Sequence, residues 1–135
     1  LLADAPADSH WSAALAPDAH KFGGAALSDA TGFRRAATLL KAGAPRPQLA
    51  IVSATFGTTD RLVAAMKSAQ AGRERADLPF LLAAHRALLA PLGLPGDLLD
   101  ADFAQLDDDL AHLRAGRADA GQAARISGAG EVWSS

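Results

Sequence analysis

The chain contains no cysteine and no tyrosine, and its aromatic side chains amount to two Trp and five Phe. Without cysteine there is no disulfide framework, no thiolate nucleophile and no cysteine zinc site. With so few aromatics, base stacking is a poor mode of recognition. A charge excess of either sign is missing too, since 13 Lys and Arg stand against 15 Asp and Glu, a net charge of −2. That balance supplies neither a basic stripe for nucleic acid nor a polybasic segment for a membrane surface. No apolar run approaches the roughly 18–20 residues that cross a bilayer. The opening Leu1-Leu2-Ala3-Asp4 lacks the basic region and apolar stretch of a secretory signal. The expectation is a cytoplasmic chain with no nucleic-acid or membrane partner.

Half of the 135 residues are apolar, largely Ala and Leu, and about a fifth are charged. This suits a helix-rich globular core of one domain or less. Leu1 stands where Met is usual, and Gly130-Glu131-Val132-Trp133-Ser134-Ser135 ends without a stop signal, so both ends read as cut. Residues 1–18, with Pro6, Pro17 and no sustained period, read as an irregular extension in which Trp11 and Leu15 form at most one helical turn.

From residue 19 onward the pattern is ordered. Ala19-His20-Lys21-Phe22 is a short strand running into Gly23-Gly24. A helix follows, capped by Ser28 with Asp29 in its first turn and with Phe33, Ala36, Ala37 and Leu40 on one face. Gly43 and Pro45-Arg46-Pro47 end it. Leu49-Ala50-Ile51-Val52 has the unbroken apolar character of a parallel strand covered on both faces. A small-residue loop, Ser53 to Thr59, leads to a helix beginning at Asp60 with Leu62, Val63 and Met66 inward. The order strand, helix, strand, helix predicts an α/β fold with a parallel sheet.

Residues 77–116 then read as a helical insertion. Leu78, Leu81, Leu82, Leu88 and Leu89 mark one helix, and Leu99, Phe103, Leu106, Leu110 and Leu113 a second that Gly116 closes. The two are expected to pair antiparallel. His85 and His112 are too far apart for a metal site and read as surface or boundary residues, and Asp107-Asp108-Asp109 reads as a solvated face.

Three segments are candidates for chemistry. Lys21-Phe22-Gly23-Gly24 ends a strand, where glycines admit a phosphate close to the backbone and a lysine places positive charge on it. It is not a Walker motif, and Gly-Gly pairs often only turn the chain. Ser53 to Asp60 follows the second strand, at the end of the sheet where α/β proteins bind ligands. Its hydroxyls suit a small polar substrate, while Thr58 or Thr59 also suits the N-cap of the next helix. In Gly128 to Ser134, Glu131 either faces a substrate ammonium or stands near a helix start for its dipole.

Taken in order, His20-Lys21-Phe22-Gly23-Gly24, Ile51-Val52-Ser53-Ala54 with Gly57-Thr58-Thr59-Asp60, and Gly130-Glu131-Val132-Trp133-Ser134 resemble the aspartate kinase family. The likeness is closest to the aspartokinase portion of bifunctional aspartokinase–homoserine dehydrogenases and spans Ala19 to Ser135. It implies the N-terminal part of an amino-acid-kinase domain, a three-layer αβα sandwich with a mainly parallel sheet that is incomplete in this chain. It also implies transfer of the ATP γ-phosphoryl group to the side-chain carboxylate of L-aspartate, with Mg²⁺ accompanying ATP. Lys21 would steady charge on the transferring group, and Gly23 and Gly24 would offer backbone N–H donors to the phosphates. Ser53, Thr59 and Glu131 would hold the aspartate, Glu131 against its α-ammonium. The family tends to associate, so a homo-oligomer is expected of a longer form.

Ala25 and Ala26 stand where the family usually has hydroxyl or other small polar side chains, which is expected to weaken phosphate binding. The resemblance also puts the α-carboxylate grip and most adenine contacts beyond Ser135. An isolated 135-residue chain is therefore expected to leave an uncovered sheet and to be unstable, self-associating or inactive. The alternatives are another amino-acid kinase, acting on glutamate, acetylglutamate or a nucleotide, and a truncated or degenerate, inactive kinase fragment.

Overall fold

A computed structural model describes residues 16–117 and 119–135. The Trp11–Leu15 turn and most of the expected 1–18 extension lie outside the described residues. The elements are β1 (Asp18–Phe22), α1 (Ala30–Ala42), β2 (Gln48–Val52), α2 (Thr58–Gln70), α3 (Leu78–Leu92), α4 (Asp100–Arg114) and α5 (Ala120–Ser134). The class is α/β. β1 and β2 pair in parallel, with Lys21 opposite Ile51 and Phe22 opposite Val52. β1 starts at Asp18, one residue earlier than the apolar pattern suggests, because the Asp18 N–H donates to Pro47 O at 2.9 Å.

Side chains alternate across a strand, so the sheet has two different faces. On one face Phe22 is buried with Leu27 and Ala36, and Phe33, Leu40 and Val52 pack around them. Ala37, expected in this group, is exposed. The Asp29 carboxylate caps α1 by accepting from Gly32 N at 2.8 Å, so the cap is one residue beyond Ser28. On the other face Leu49 and Ile51 are 50% and 51% exposed. The expectation that the second strand is covered on both faces therefore fails among the described residues, since no element lies over that side.

The larger core belongs to the helices. Leu62, Leu81, Leu89, Phe103, Leu110 and Ile126 are among the buried side chains of one cluster, and α3, α4 and α5 all pack on α2. The two insertion helices do not form the expected antiparallel pair: α3 packs on α1 and α2, and α4 on α2 and α5. α3 and α4 are tied by Arg86, whose guanidinium donates to Asp100 at 2.6 Å and lies 4.9 Å from the Phe103 ring centre. α5 begins with a reciprocal cap between Asp119 and Gln122.

Asp109 corrects the reading of its aspartate triplet as a solvated face. It is 2% exposed, and Arg125 of α5 donates to both its oxygens, at 2.6 and 3.0 Å. This forked pairing ties α4 to α5, and the Arg125 guanidinium holds the Asp109 carboxyl below the ordinary carboxylate range. His112 does remain at the surface, half-exposed beside Asp108.

Candidate functional site

Beyond the carboxyl ends of the two parallel strands the backbone turns into two loops that touch. Pairing continues one step past β2, where Ser53 N donates to Phe22 O at 3.0 Å. A Cβ on Gly24 would stand 2.5 Å from Ala54 O, so glycine is what lets the first loop lie against the second. Gly57, with φ +75°, occupies the left-handed region and is the residue before α2. Neither threonine caps α2, because Gly57 takes that position and Thr58 turns its hydroxyl inward.

The inward hydroxyl joins a buried polar cluster. Thr58 Oγ1 lies 2.6 Å from Thr55 Oγ1, which lies 3.0 Å from Nε2 of His85. His85 is 4% exposed, contrary to its reading as a surface or boundary residue, and burial pushes its pKa down. Its Nδ1 is 2.9 Å from Leu81 O, an acceptor only, so Nδ1 carries the hydrogen and Nε2 is left to accept. The Trp133 ring meets His85 edge-on with centres 5.0 Å apart. Burial of His85 was foreshadowed by its spacing, four residues from Leu81 and four from Leu89, both buried.

The third segment reaches this loop from α5. A Cβ on Gly130 would come within 2.7 Å of Thr58 Cγ2 and 2.8 Å of Ala54 Cβ, so only glycine admits the end of α5 to the start of α2. Glu131 thus lies in the last turn of α5 and not near a helix start. There the helix dipole disfavours a carboxylate, which removes the structural explanation offered by the sequence. Its Oε2 is buried and has no hydrogen-bond partner among the described residues. Trp133 anchors the same turn in the core, and the Ser134 hydroxyl donates to Gly130 O at 2.9 Å.

Gly24, Ala25, Ser53, Thr59, Asp60 and Glu131 line one cavity of about 220 Å³. Four of the six expected site residues, Gly24, Ser53, Thr59 and Glu131, therefore meet. Lys21 and Gly23 do not line it. Lys21 is exposed on the uncovered sheet face opposite Ile51, and Gly23 O accepts from Ala26 N and Leu27 N to turn the chain toward α1. The cavity is smaller than the roughly 300–1,000 Å³ of sites for drug-sized ligands. Its lining includes two carboxylates, three hydroxyl-bearing side chains and no lysine or arginine, which suits a small ligand with a cationic group.

A larger cleft of about 410 Å³ runs between α4 and α5, lined by Leu106, Ile126 and Trp133. Its buried carboxylate, Asp109, is already paired with Arg125. Among the described residues no three His, Asp or Glu side chains gather as a metal site, and no helix is long and apolar enough to cross a membrane. No family model, curated protein or solved structure matches the chain.

Proposed function

We propose that the chain is the N-terminal part of an aspartate kinase, and that the cavity between the Ser53–Asp60 loop and α5 receives L-aspartate. The observation that carries this reading is the buried Oε2 of Glu131, unpaired among the described residues, in a cavity that also collects Gly24, Ser53 and Thr59 from the other two motifs. Buried polar groups are almost always paired, so an unpaired carboxylate oxygen marks a place where a ligand supplies the donor. The α-ammonium of an amino acid is such a donor, and the hydroxyls of Ser53 and Thr59 orient the remainder of the molecule.

In this reading a side-chain carboxylate oxygen of aspartate attacks the γ-phosphorus of ATP. The bond from that phosphorus to the β,γ-bridging oxygen breaks, and ADP leaves with 4-phospho-L-aspartate formed. Such transfers depend mainly on positioning and charge stabilisation. ATP enters as the Mg²⁺ complex, the metal neutralising charge on its phosphates. Lys21 meets the phosphates from the sheet side, and Gly23 and Gly24 present backbone N–H groups where β1 ends. The parallel β1–β2 pair, with α1 on one face and the other uncovered, fits part of a three-layer αβα sandwich of the amino-acid-kinase type.

The test is formation of aspartyl hydroxamate from ATP, aspartate and hydroxylamine by the longest form of the protein that its reading frame encodes. Product is expected, with loss in Lys21→Ala and a strong rise in aspartate KM in Glu131→Gln. A degenerate, inactive kinase is the second reading, favoured by Ala25 lining the cavity without a hydroxyl and by Lys21 standing outside it. A folded protein that yields no hydroxamate would establish that second reading.

A further inference from the structure

The Ser53–Thr59 loop owes its shape to a side chain from the helical insertion. His85 stands on α3, and its Nε2 is 3.0 Å from Thr55 Oγ1 and 3.3 Å from Thr58 Oγ1. Those two hydroxyls are 2.6 Å from each other. Because Nδ1–H is committed to Leu81 O, the distances give one direction to the chain: Thr58 donates to Thr55, and Thr55 donates to His85 Nε2. Ser53 and Thr59 flank this pinned stretch and face the cavity on its other side. A second hollow of about 230 Å³, lined by Thr55, Phe56, Thr58, Arg61 and His85, lies behind the same loop.

We infer that His85 is a positioning residue for substrate binding: neutral His85 holds the Thr55–Thr58 loop in the shape that presents Ser53 and Thr59, and its protonation releases that loop. This rests on the reading of the cavity as a substrate site. A proton on Nε2 turns the acceptor into a donor, so Thr55 must reverse and Thr58, 1% exposed, must find another acceptor. Burial already disfavours the charged ring, and Arg61 at the start of α2 is the charged group that faces it, with the same sign. Leu81 on α3 and Trp133 on α5 complete its surroundings without adding charge. Because the pKa is depressed, His85 is neutral above its ordinary value of 6.5 and the loop is held there. The hold weakens as pH falls from that value through the lower pKa of the folded state.

The experiment compares wild type with His85→Gln, which keeps an acceptor and cannot titrate, His85→Leu, which has no acceptor, and Leu110→Ala as a core control. Imidazole NMR and amide hydrogen exchange over residues 53–60 are followed from pH 5 to 8, and aspartate KM and kcat are measured on the same samples. Wild-type His85 should appear as the Nδ1–H tautomer, with loop exchange and KM rising together as it protonates. His85→Gln should abolish that pH dependence, and His85→Leu should raise KM about tenfold at pH 7.5 with kcat within about twofold. Leu110→Ala should lower stability and leave KM and loop exchange at wild-type values. Loop exchange indifferent to His85 protonation, or a His85→Gln variant that keeps the wild-type pH dependence, overturns the inference. If no aspartate is phosphorylated the kinase reading fails, while the NMR and exchange data still decide the role of His85.

Discussion

At the residue scale, Glu131 is costly where it stands. A carboxylate in the last turn of a helix opposes the dipole by about 0.3–1 kcal/mol, and a buried oxygen without a donor adds a further loss of about 1–3 kcal/mol. Glu131→Gln should therefore raise stability by about 1 kcal/mol while raising aspartate KM by about 10- to 100-fold. Thermal unfolding and steady-state kinetics on the same samples check both halves, and a variant that loses stability and keeps its KM would show the side chain to be structural. The identity of this residue was legible from its motif, but its setting was not. Gly128 and Gly130 lie inside α5 although glycine costs about 1 kcal/mol in a helix interior, and nothing local reveals that packing on Thr58 and Ala54 requires Gly130.

Elements were legible wherever a period ran unbroken. The steps of three and four from Leu99 to Leu113 mark α4, whose Phe103, Leu106, Leu110 and Leu113 are buried. Which helices meet was not legible, because Asp109 and Arg125 recognise each other only after α4 and α5 pack. Arg125→Ala should lower the unfolding temperature and move the onset of acid unfolding to higher pH. The sign follows from the depressed pKa of Asp109, whose pairing stabilises the fold above the ordinary value of 3.8 and is lost as pH falls below it. Circular dichroism melts from pH 2 to 7 test this, and coincident acid transitions would rule the pair out as a determinant. Gly130→Ala sets two effects against each other between α5 and α2. Better helix propensity offers about 1 kcal/mol, while a Cβ forced against Ala54 and Thr58 costs about 1–3 kcal/mol. The net change should be destabilising, with a raised aspartate KM because Glu131 is carried away from the loop.

On the scale of the whole molecule, the exposed apolar side chains include one side of the sheet and two phenylalanines. Leu49 and Ile51 sit half-exposed on a sheet that has two strands and open outer edges among the described residues, while Phe56 and Phe80 are 81% and 76% exposed. Open edges and contiguous apolar surface promote association. The 135-residue chain should self-associate at micromolar concentration, and Leu49→Lys with Ile51→Lys should shift it toward monomer. Light scattering coupled to size exclusion measures the change, and a wild-type chain that elutes as a sharp monomer would refute it. The parallel pairing of this sheet was legible from the order of apolar and glycine-rich segments. Its bare face was expected from the family resemblance and not from the strand itself, because an apolar strand looks the same whether or not a neighbour covers it.

The tight seat of Gly130 against Ala54 and Thr58 has a consequence for synthesis. During translation the loop bearing Ser53 and Thr59 leaves the ribosome well before α5 does. Helices form locally within about a microsecond, but a contact between such distant segments waits for chain closure. The cavity is accordingly a late product of folding, and until α5 docks the nascent chain carries only one wall of the site.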